Sequence, residues 1–456
     1  MTHPQEPHWL PLPQQEKAVQ ATRQAFIDTY GQEPDGIWSA PGRLNLLGEY
    51  IDFLGGTCLP MPLPYRTILA GRLRTDGILR ARSLQMPGQD AHIAIADIKP
   101  GNPSGWLSYV AGVAWALNQE GSPDLALPQG FGADLLINSQ VPVGGGLSSS
   151  AALEASTALA LLDLAQQMLA RGQVSKDPLP SAPGQDRLRS RLVQVCIQAE
   201  NEIAGARTGG LDQTAALRSQ AGAALAIDFR DFSLTPLRLD LASQGLAWLV
   251  IDTKTPHELA GGEFAARRAA NEAVTASLGL DHLRNLLPQE LAWPQLGAQQ
   301  AKARRLQILD TSLAKALDAY RTQQGEPDFP VGWIRHTLHD MLLTERAAAL
   351  MMGLPGLGRA GWEEVGQLLT ESFLSMRDDL QVSRPQIDLA VEACLEAGAL
   401  GARLVGGGFG GAVMALVEQD HLDASARQVA ETYRQAGYRQ PDFLPMLAGA
   451  PARREA

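Results

Sequence analysis

The chain has 456 residues, 45% of them hydrophobic and 19% charged, with a formal net charge of −11 at pH 7. This composition is typical of a globular protein of two or three domains, and the negative charge argues against general binding to nucleic acid or anionic membranes. The three cysteines, Cys58, Cys196 and Cys394, are widely separated without a CxxC pair, which argues against a disulfide framework and a zinc site and favours the reducing cytoplasm.

Residues 1–16 are polar and rich in proline, unlike a signal peptide, and no apolar run approaches the ~18 residues of a membrane-spanning helix. The apolar periodicity predicts, in chain order, a helix over 16–30, a strand over 37–47, several short strands over 66–95, a helix over 107–117, a strand over 131–137, a helix over 149–169, a loop over 175–185, a helix over 191–204, a strand over 246–252, mostly helix over 262–350 and a strand–turn–strand over 400–417. This irregular mixture favours an α+β fold, with a domain boundary near residues 215–240.

A glycine-serine segment precedes the third predicted helix, where residues 141–154 read VPVGGGLSSSAALE. Consecutive glycines allow a tight turn and a close backbone approach to a ligand, and the N–H groups at the start of the following helix suit phosphate. The serines can cap the helix, donate to phosphate oxygens or ligate Mg²⁺. A flexible linker or a plain N-cap is the alternative. The segment contains no GxxxxGK[ST] motif and no GxGxxG in a βαβ setting, which argues against a P-loop and a Rossmann site.

A carboxylate shares the apolar face of the helix predicted over 191–204. Cys196, Ile197 and Glu200 follow Val193 at helical spacing, so Glu200 points where the apolar side chains point. A carboxylate there must be ion-paired, hydrogen-bonded or bound to a metal. The spacing leaves a Mg²⁺ ligand and a buried ion pair equally open.

A second carboxylate, Asp212, follows Gly209 and Gly210 in TGGLDQ. A turn at these glycines can bring the carboxylate close to a substrate. Aspartates in such positions also commonly form or cap turns, which is the alternative.

Polar residues crowd into the segment 40–56, which reads APGRLNLLGEYIDFLGG. In a strand, Arg43 and Asn45 lie on one face, and Glu49, Tyr50 and Asp52 then enter a turn bounded by glycines. Such dense donors and acceptors suit a polyol, with a solvated loop as the alternative. The second glycine cluster, VGGGFGG at 405–411, similarly indicates either close backbone approach to a ligand or a tight hairpin.

Together these segments resemble the galactokinase branch of the GHMP small-molecule kinases. PGRLNLLGEYIDFLGG resembles the galactokinase signature, PVGGGLSSSAA the phosphate loop and GARLVGGGFGG the third motif. CIQAENEIAGARTGGLDQ, VIDTKTPHELAGGEFAARRAA and MRDDLQVSRPQIDLAV are also similar to galactokinase segments, so the resemblance covers nearly the whole chain. It implies a two-domain α+β fold, with a ribosomal-S5-like N-terminal half over 1–225, a ferredoxin-like C-terminal half over 226–456 and the active site between them.

The resemblance also implies an activity, the ATP-dependent phosphorylation of the anomeric hydroxyl of galactose with Mg²⁺ as the cofactor. By matching position, Asp212 is the expected catalytic carboxylate and Arg43 its charged partner, and Ser150 and Glu200 are the expected Mg²⁺ ligands. The remaining expected contacts are Gly144, Gly145, Gly146, Leu147, Ser148, Ser149 and Ser150 for the phosphates, Trp106 for the adenine, and Glu49, Tyr50, Asp52, Gly209 and Phe264 for the sugar. The expected partners are ATP and galactose or a related sugar, with no nucleic acid, no membrane and a monomeric, cytoplasmic chain.

The chain departs from the family pattern at several positions. Tyr50 stands for His, Ile51 for Thr, Phe53 for Tyr, Leu54 for Asn, Phe264 for Tyr and Val405 for Thr. Tyr50 and Phe264 match sugar-contact positions, where unpaired polar groups change discrimination by up to ~10⁴. The sequence therefore predicts a galactose 1-kinase, with a kinase of altered sugar preference, for example for an amino sugar or a pentose, as the alternative. A sugar-binding regulator without turnover is a third hypothesis, against which the intact Arg43, Glu200 and Asp212 count.

Overall fold

Helices and strands alternate irregularly in the computed structural model, which describes residues 6–119, 125–142, 144–170, 187–255, 262–289, 291, 293–324, 329–353 and 357–456. The helices are α1 (Gln15–Tyr30), α2 (Leu107–Gln119), α3 (Ser149–Leu169), α4 (Arg187–Gln198), α5 (Leu211–Arg218), α6 (Glu263–Ser277), α7 (Ala298–Gln324), α8 (Val331–Met352), α9 (Arg359–Asp378), α10 (Pro385–Glu396) and α11 (Leu422–Ala436). The strands are β1 (His8–Trp9), β2 (Gly36–Asn45), β3 (Thr57–Cys58), β4 (Pro60–Arg74), β5 (Ile78–Ser83), β6 (Ala91–Ala94), β7 (Gly132–Ser139), β8 (Ala223–Asp228), β9 (Ser233–Arg238), β10 (Leu246–Thr255), β11 (Gly401–Val405), β12 (Gly411–Glu418), β13 (Asp442–Pro445) and β14 (Arg453–Arg454).

The N-terminal half is built on a six-stranded sheet in the order β14-β2-β4-β7-β5-β6. Successive residues of a strand face opposite sides of a sheet, and β2 packs against a hydrophobic core on each side. Trp38 packs into the large core that contains α2, α3 and α4, whereas Ile37 packs with Phe26 of α1. The helix α3 is buried along most of its length, because it runs through the centre of that large core.

The C-terminal half contains a five-stranded sheet in the order β1-β13-β10-β12-β11. Helices α9, α10 and α11 supply Phe373, Val391 and Val429 to the core beside this sheet. A three-stranded sheet, β3-β8-β9, packs instead against the helical region formed by α6, α7 and α8. The expected two-domain α+β fold is confirmed.

Each large sheet is completed by a strand from the opposite end of the chain. Strand β1 pairs in parallel with β13, and β14 pairs antiparallel with β2, where Arg454 lies opposite Trp38. The buried Arg66 of β4 holds the segment before β14, because its guanidinium donates to the carbonyls of Ala450 and Pro451 at 2.5 and 2.8 Å.

Most predicted elements agree with the structure, but β4 is a correction. Only short strands were expected over 66–95, whereas β4 is one strand of 15 residues that starts at Pro60. Its first part pairs only with β2 among the described strands. Prolines occupy every second position there, at Pro60, Pro62 and Pro64, and their backbone nitrogens, which carry no hydrogen, face away from β2. The Pro62 carbonyl on that outer side accepts the Gly449 N–H at 2.8 Å. A strand with one neighbour tolerates such prolines.

Other boundaries differ less. The helix expected over 191–204 consists of α4 followed by a π-helical turn at Ala199–Ala204, and the predicted loop at 175–185 lies outside the described residues. All three cysteines are buried free thiols. Within the described ranges, no helix has the length and apolar character needed to cross a membrane.

Candidate active site

A cavity of about 440 Å³ brings the predicted motifs together. The predicted site residues that line it are Arg43, Glu49, Tyr50, Asp52, Gly144, Gly146, Leu147, Ser148, Ser149, Ser150, Glu200, Gly209, Asp212 and Phe264. The third motif contributes Gly406 and Gly407, and the loop before Asp212 contributes Arg207 and Thr208. Segments from both halves of the chain therefore form one cavity.

Arg43 connects the glycine-serine loop to Asp212. Its Nε lies 2.8 Å from Asp212 Oδ1, and its Nη1 donates to the Gly146 carbonyl at 2.5 Å. Arg43 is 6% exposed and Asp212 is 24% exposed, so the carboxylate faces the cavity while its partner lies behind it. The preceding Gly42 allows β2 to lie close to the glycine-serine loop, because a Cβ at this position would lie 2.4 Å from the Leu147 carbonyl oxygen.

The glycine-serine loop turns into α3 through left-handed backbone conformations. Gly144 and Gly146 have φ of 76° and 67°, and Ser148 has φ of 61°. The side chain of Ser148 makes no capping hydrogen bond to α3, and its Oγ has no hydrogen-bond partner among the described residues. A plain side-chain N-cap therefore does not explain Ser148. The start of α3, with Ser149 and Ser150, borders the cavity and suits an anion.

Two buried carboxylates lie beside this helix start. Glu200, in the π-helical turn, and Glu154 of α3 both accept the Gln213 side-chain amide, at 2.5 and 3.1 Å. Burial raises the pKa of Glu200, and the nearby Asp212 carboxylate raises it further. Burial and then the Glu200 carboxylate raise the pKa of Glu154. Within the described part of the chain, Glu200 has no ion-pair partner within 4 Å. The Gln213 amide, the Ser150 hydroxyl and the nearby Arg43 guanidinium lower its pKa and so oppose the effect of burial.

The Glu49 turn is fixed from two directions. Asp340 of α8 accepts the backbone N–H groups of Gly48 and Glu49 at 3.1 and 3.0 Å. The Glu49 Oε1 atom in turn accepts the N–H of Gly406 in the third motif at 2.8 Å. Glu49 therefore joins the signature segment to the third motif as well as lining the cavity.

Tyr50 and Phe264 form an aromatic wall of the cavity. Tyr50 has φ of 64°, and its hydroxyl donates to the Gly407 carbonyl at 2.5 Å. Its ring centroid lies 4.8 Å from that of Phe264, which lies 6.4 Å from that of Phe53. The Tyr50 hydroxyl therefore donates its one hydrogen within the protein.

Asp52 packs against the loop that carries Asp212. Its Oδ2 accepts the Leu211 N–H at 3.3 Å, and a Cβ at Gly209 would lie 2.4 Å from the same oxygen. Burial raises the pKa of Asp52 to about 6, with a further upward contribution from Asp212. The loop and the signature turn thus depend on each other's geometry.

Two predicted residues do not line this cavity. Gly145 is buried in its loop, and Trp106 is half-buried against the core near α2. Tyr109, one helical turn after Trp106, does line the cavity, and burial raises its pKa to about 12. The assignment of Trp106 to the adenine stays a prediction.

The sequence analysis missed Glu154, Gln213 and Asp340. Glu154 had a usable signal, because it is a carboxylate in a helix that is apolar on nearly every side, as was argued for Glu200. Gln213 had none beyond its position next to Asp212. Asp340 lies far along the chain in a helix of mixed character, and only the fold brings it to the Glu49 turn.

Comparisons with known proteins identify the relationship. The chain matches the galactokinase galactose-binding signature over residues 24–73, the GHMP kinase N-terminal domain over 108–220 and the GHMP kinase C-terminal domain over 354–435. It is 37% identical to a galactokinase of Streptomyces coelicolor over 94% of this chain and 96% of that protein. It is 34% identical to the human galactokinase over 92% and 93% of the two chains.

The fold is also similar to solved structures. The Lactococcus lactis galactokinase complexed with galactose superposes with a TM-score of 0.74 at 24% identity, covering 95% of this chain and 99% of that one. The mevalonate kinase of Methanococcus jannaschii superposes with a TM-score of 0.52 at 14% identity, covering 90% and 98%. These likenesses support the two-domain GHMP kinase fold, and the sequence identities reach further: the chain belongs to the galactokinase family.

Proposed function

We propose that this chain transfers the γ-phosphoryl group of ATP to the anomeric hydroxyl of galactose, giving galactose 1-phosphate. The observation that carries the proposal is the Arg43–Asp212 ion pair, which lies in the same cavity as the glycine-serine loop and the signature turn. A phosphate acceptor and a phosphate donor can meet there. Membership of the galactokinase family supports the same activity.

In this proposal, Asp212 accepts a hydrogen bond from the anomeric hydroxyl and orients it for in-line attack on the γ-phosphorus. The hydroxyl proton passes to Asp212 as the new O–P bond forms, and the bond from the γ-phosphorus to the ADP oxygen breaks. Arg43 holds the carboxylate and adds positive charge near the reacting oxygens. The N–H groups at the start of α3 lower the energy of the negative charge on the phosphates.

Mg²⁺ is the cofactor we propose, held by the Ser150 hydroxyl and the Glu200 carboxylate. These oxygen donors fit the ion, because Mg²⁺ commonly uses one or two carboxylates together with substrate phosphates. The described residues include no cluster of three or more Asp, Glu, His or Cys side chains suited to a metal, so phosphate oxygens are needed to complete the site. The bound ion supplies neutralisation of phosphate charge.

For the sugar, we propose contacts from Glu49, Asp52 and the backbone near Gly209 on the polar side of the cavity, and from Tyr50 and Phe264 on the aromatic side. The second candidate is a sugar kinase with altered preference. The Tyr50 hydroxyl favours it, because this group donates to Gly407 and has no donor left for a substrate. Trp106 is proposed to lie near the adenine.

We also propose a boundary between domains over 1–225 and 226–456, a monomer, and a cytoplasmic location without nucleic-acid or membrane partners. The matches to the N-terminal and C-terminal family domains fall on either side of that boundary. The three buried free thiols support the reducing location.

One experiment tests the function. ADP release with Mg·ATP is measured over galactose, glucose, galactosamine and pentoses. Preferred turnover of galactose, with galactose 1-phosphate as the product, is the expected result. A clear preference for another sugar supports the second candidate, and sugar binding without ADP release with any sugar contradicts both.

A further inference from the structure

The proposed roles do not explain why the carboxyl group of Glu154 is buried. It lies on α3, its side chain is 0% exposed, and Leu161 and other apolar residues of the same helix continue into the core. Its Oε2 accepts the Gln213 amide at 3.1 Å, while its Oε1 has no hydrogen-bond partner among the described residues. A carboxyl group in such a place costs free energy unless its contacts repay it.

Gln213 links this group to Glu200. A single amide nitrogen, Nε2, lies 3.1 Å from Glu154 Oε2 and 2.5 Å from Glu200 Oε2, and a primary amide has two N–H donors. Both donors are thus directed at carboxylates, one on α3 and one on the π-helical turn. Gln213 is itself 0% exposed, so water does not compete for these hydrogen bonds.

The two bonds together fix the rotation of the Gln213 amide. With only Glu200 as acceptor, the amide would otherwise be held by a long hydrogen bond from Thr208 Oγ1 to Gln213 Oε1 at 3.5 Å, which restricts its last side-chain torsion only weakly. The Glu154 carboxyl on the opposite side restricts this torsion further. The free oxygen of Glu200 is then held in one direction relative to Ser150 and the start of α3.

We propose that Glu154 is a positioning residue for the metal site, acting through Gln213 to orient Glu200. The inference rests on the proposed function, in which Glu200 and Ser150 hold Mg²⁺. Neighbours that hydrogen-bond a metal ligand commonly change metal affinity by about 10–100-fold when they are removed. Glu154 touches neither substrate nor metal in this arrangement, so its effect is on metal affinity and geometry rather than on proton transfer.

The test measures metal–nucleotide binding without turnover. Mn²⁺ with ADP is titrated into each variant, and water-proton relaxation reports the bound metal. We expect Glu154→Ala and Gln213→Met to weaken metal binding about 10-fold or more. Glu154→Gln keeps an acceptor oxygen for the Gln213 amide and is expected to stay within about 3-fold of the unchanged protein. Binding of ADP in EDTA is expected to be equal in all of them.

Two further variants separate the possible failures. Glu202→Ala removes an exposed carboxylate from the same π-helical turn and is expected to leave metal binding unchanged. Glu200→Gln tests the proposed metal ligand itself. If Glu200→Gln loses metal binding but Glu154→Ala and Gln213→Met keep it, the inference is wrong and the proposed function stands.

If Glu200→Gln also binds the metal normally, the proposed metal site is wrong. Urea unfolding of each variant shows whether it is folded. Should Glu154→Ala fail to fold, Gln213→Met decides the question, because it replaces the bridge and leaves α3 unchanged. Metal binding by a folded Gln213→Met variant at the level of the unchanged protein overturns the inference.

Discussion

The Arg43 guanidinium lies behind the Asp212 carboxylate, with 2.8 Å between Nε and Oδ1, and the same guanidinium reaches the Gly146 carbonyl. The position of the carboxylate is therefore tied to the position of the glycine-serine loop. A shift of the loop would move Arg43, and with it the group proposed to meet the sugar hydroxyl.

Replacing Asp212 by Asn is expected to lower kcat by about 10²–10⁴, because the amide cannot accept the proton of the attacking hydroxyl. The ion pair with Arg43 is lost, but the loop and α3 remain, so the dissociation constant of ADP should change little. Coupled ADP-release kinetics and calorimetric titration measure the two quantities. Asp310→Asn, at an exposed position of α7, is the control, and near-normal kcat in Asp212→Asn would show that the catalytic assignment is wrong.

The pKa of Asp52, raised to about 6 by burial, predicts an acid limb in the pH profile. If its ionised form accepts sugar hydroxyls, kcat/KM for galactose at saturating Mg·ATP falls by about tenfold per pH unit below that value. Asp52→Asn is expected to have a lower kcat/KM at pH 8 and no such limb. A limb of equal slope in both proteins would assign it to another group.

The raised pKa of Asp52 also predicts how the free energy of unfolding changes with pH. Because the folded-state pKa lies above the ordinary value of 3.8, the Asp52 contribution to folding is fully present below that ordinary value and is lost as the pH rises through about 6. Asp52→Asn should therefore raise the unfolding free energy more at pH 8 than at pH 5, relative to the unchanged protein. Urea unfolding at the two pH values measures this difference. An equal effect at both would contradict the shifted pKa.

Phe264→Tyr is expected to increase kcat/KM for galactose by about tenfold, because it adds a hydrogen-bond donor to an aromatic wall whose one hydroxyl already donates within the protein. The Tyr50 hydroxyl already donates to Gly407, so Tyr50→His combined with Phe264→Tyr should give a larger increase. Kinetics with galactose and with its deoxy analogues reveal which hydroxyl benefits. An unchanged discrimination between galactose and every deoxy analogue would place the sugar elsewhere.

Asp340→Ala is expected to lower the free energy of unfolding by about 2–4 kcal/mol, because it leaves buried N–H donors unsatisfied. The buried Asp340 accepts the Gly48 and Glu49 N–H groups and, at 2.6 Å, the Ser372 hydroxyl. The turn that carries Glu49 should loosen, and the KM for galactose should rise more than the KM for ATP. Asp310→Ala serves as the exposed control. Equal changes in both KM values would indicate a general loss of structure.

Gly209→Ala should strongly reduce sugar affinity, since its Cβ would lie 2.4 Å from Asp52 Oδ2 and also close to the Phe53 backbone. Relief of the clash requires the loop before Asp212 to move away from the signature turn. Calorimetric titration with galactose measures the loss of affinity. Gly297→Ala is the matched control, because the nearest atom to its Cβ is 3.9 Å away, and it should bind galactose normally.

Sequence patterns predicted much of the fold and most of the cavity lining. The strong signals were local: the glycine-serine turn before a long apolar helix, and the dense polar segment around Glu49. Glu200 was singled out because a carboxylate on an apolar face needs a partner, and the structure gives it Gln213 and Ser150 as hydrogen-bond partners. Its role as a metal ligand stays a proposal.

The missed features depend on contacts between distant segments. Asp340 meets the Glu49 turn across nearly 300 residues, a separation of 291, and no local period encodes such a contact. The sequence pattern predicted several short strands over 66–95 and not the start of β4 at Pro60, where prolines occupy a strand that has only one neighbour. The Tyr50 hydroxyl could be compared with a family pattern, but its bond to the Gly407 carbonyl required the third motif to be placed beside it.

The pairing of β14 with β2 has a consequence for biosynthesis. During translation, the sheet of the N-terminal half lacks its edge strand until residues 453 and 454 have been made, because nothing else in the described fold pairs with that side of β2. Arg66 likewise cannot donate to the carbonyls of Ala450 and Pro451 until those residues have been made. The nascent N-terminal half therefore leaves the ribosome with an open sheet edge, and Arg66 then keeps only its hydrogen bonds to the hydroxyl and the carbonyl of Ser39. Completion of this half is coupled to the synthesis of the chain through residue 454.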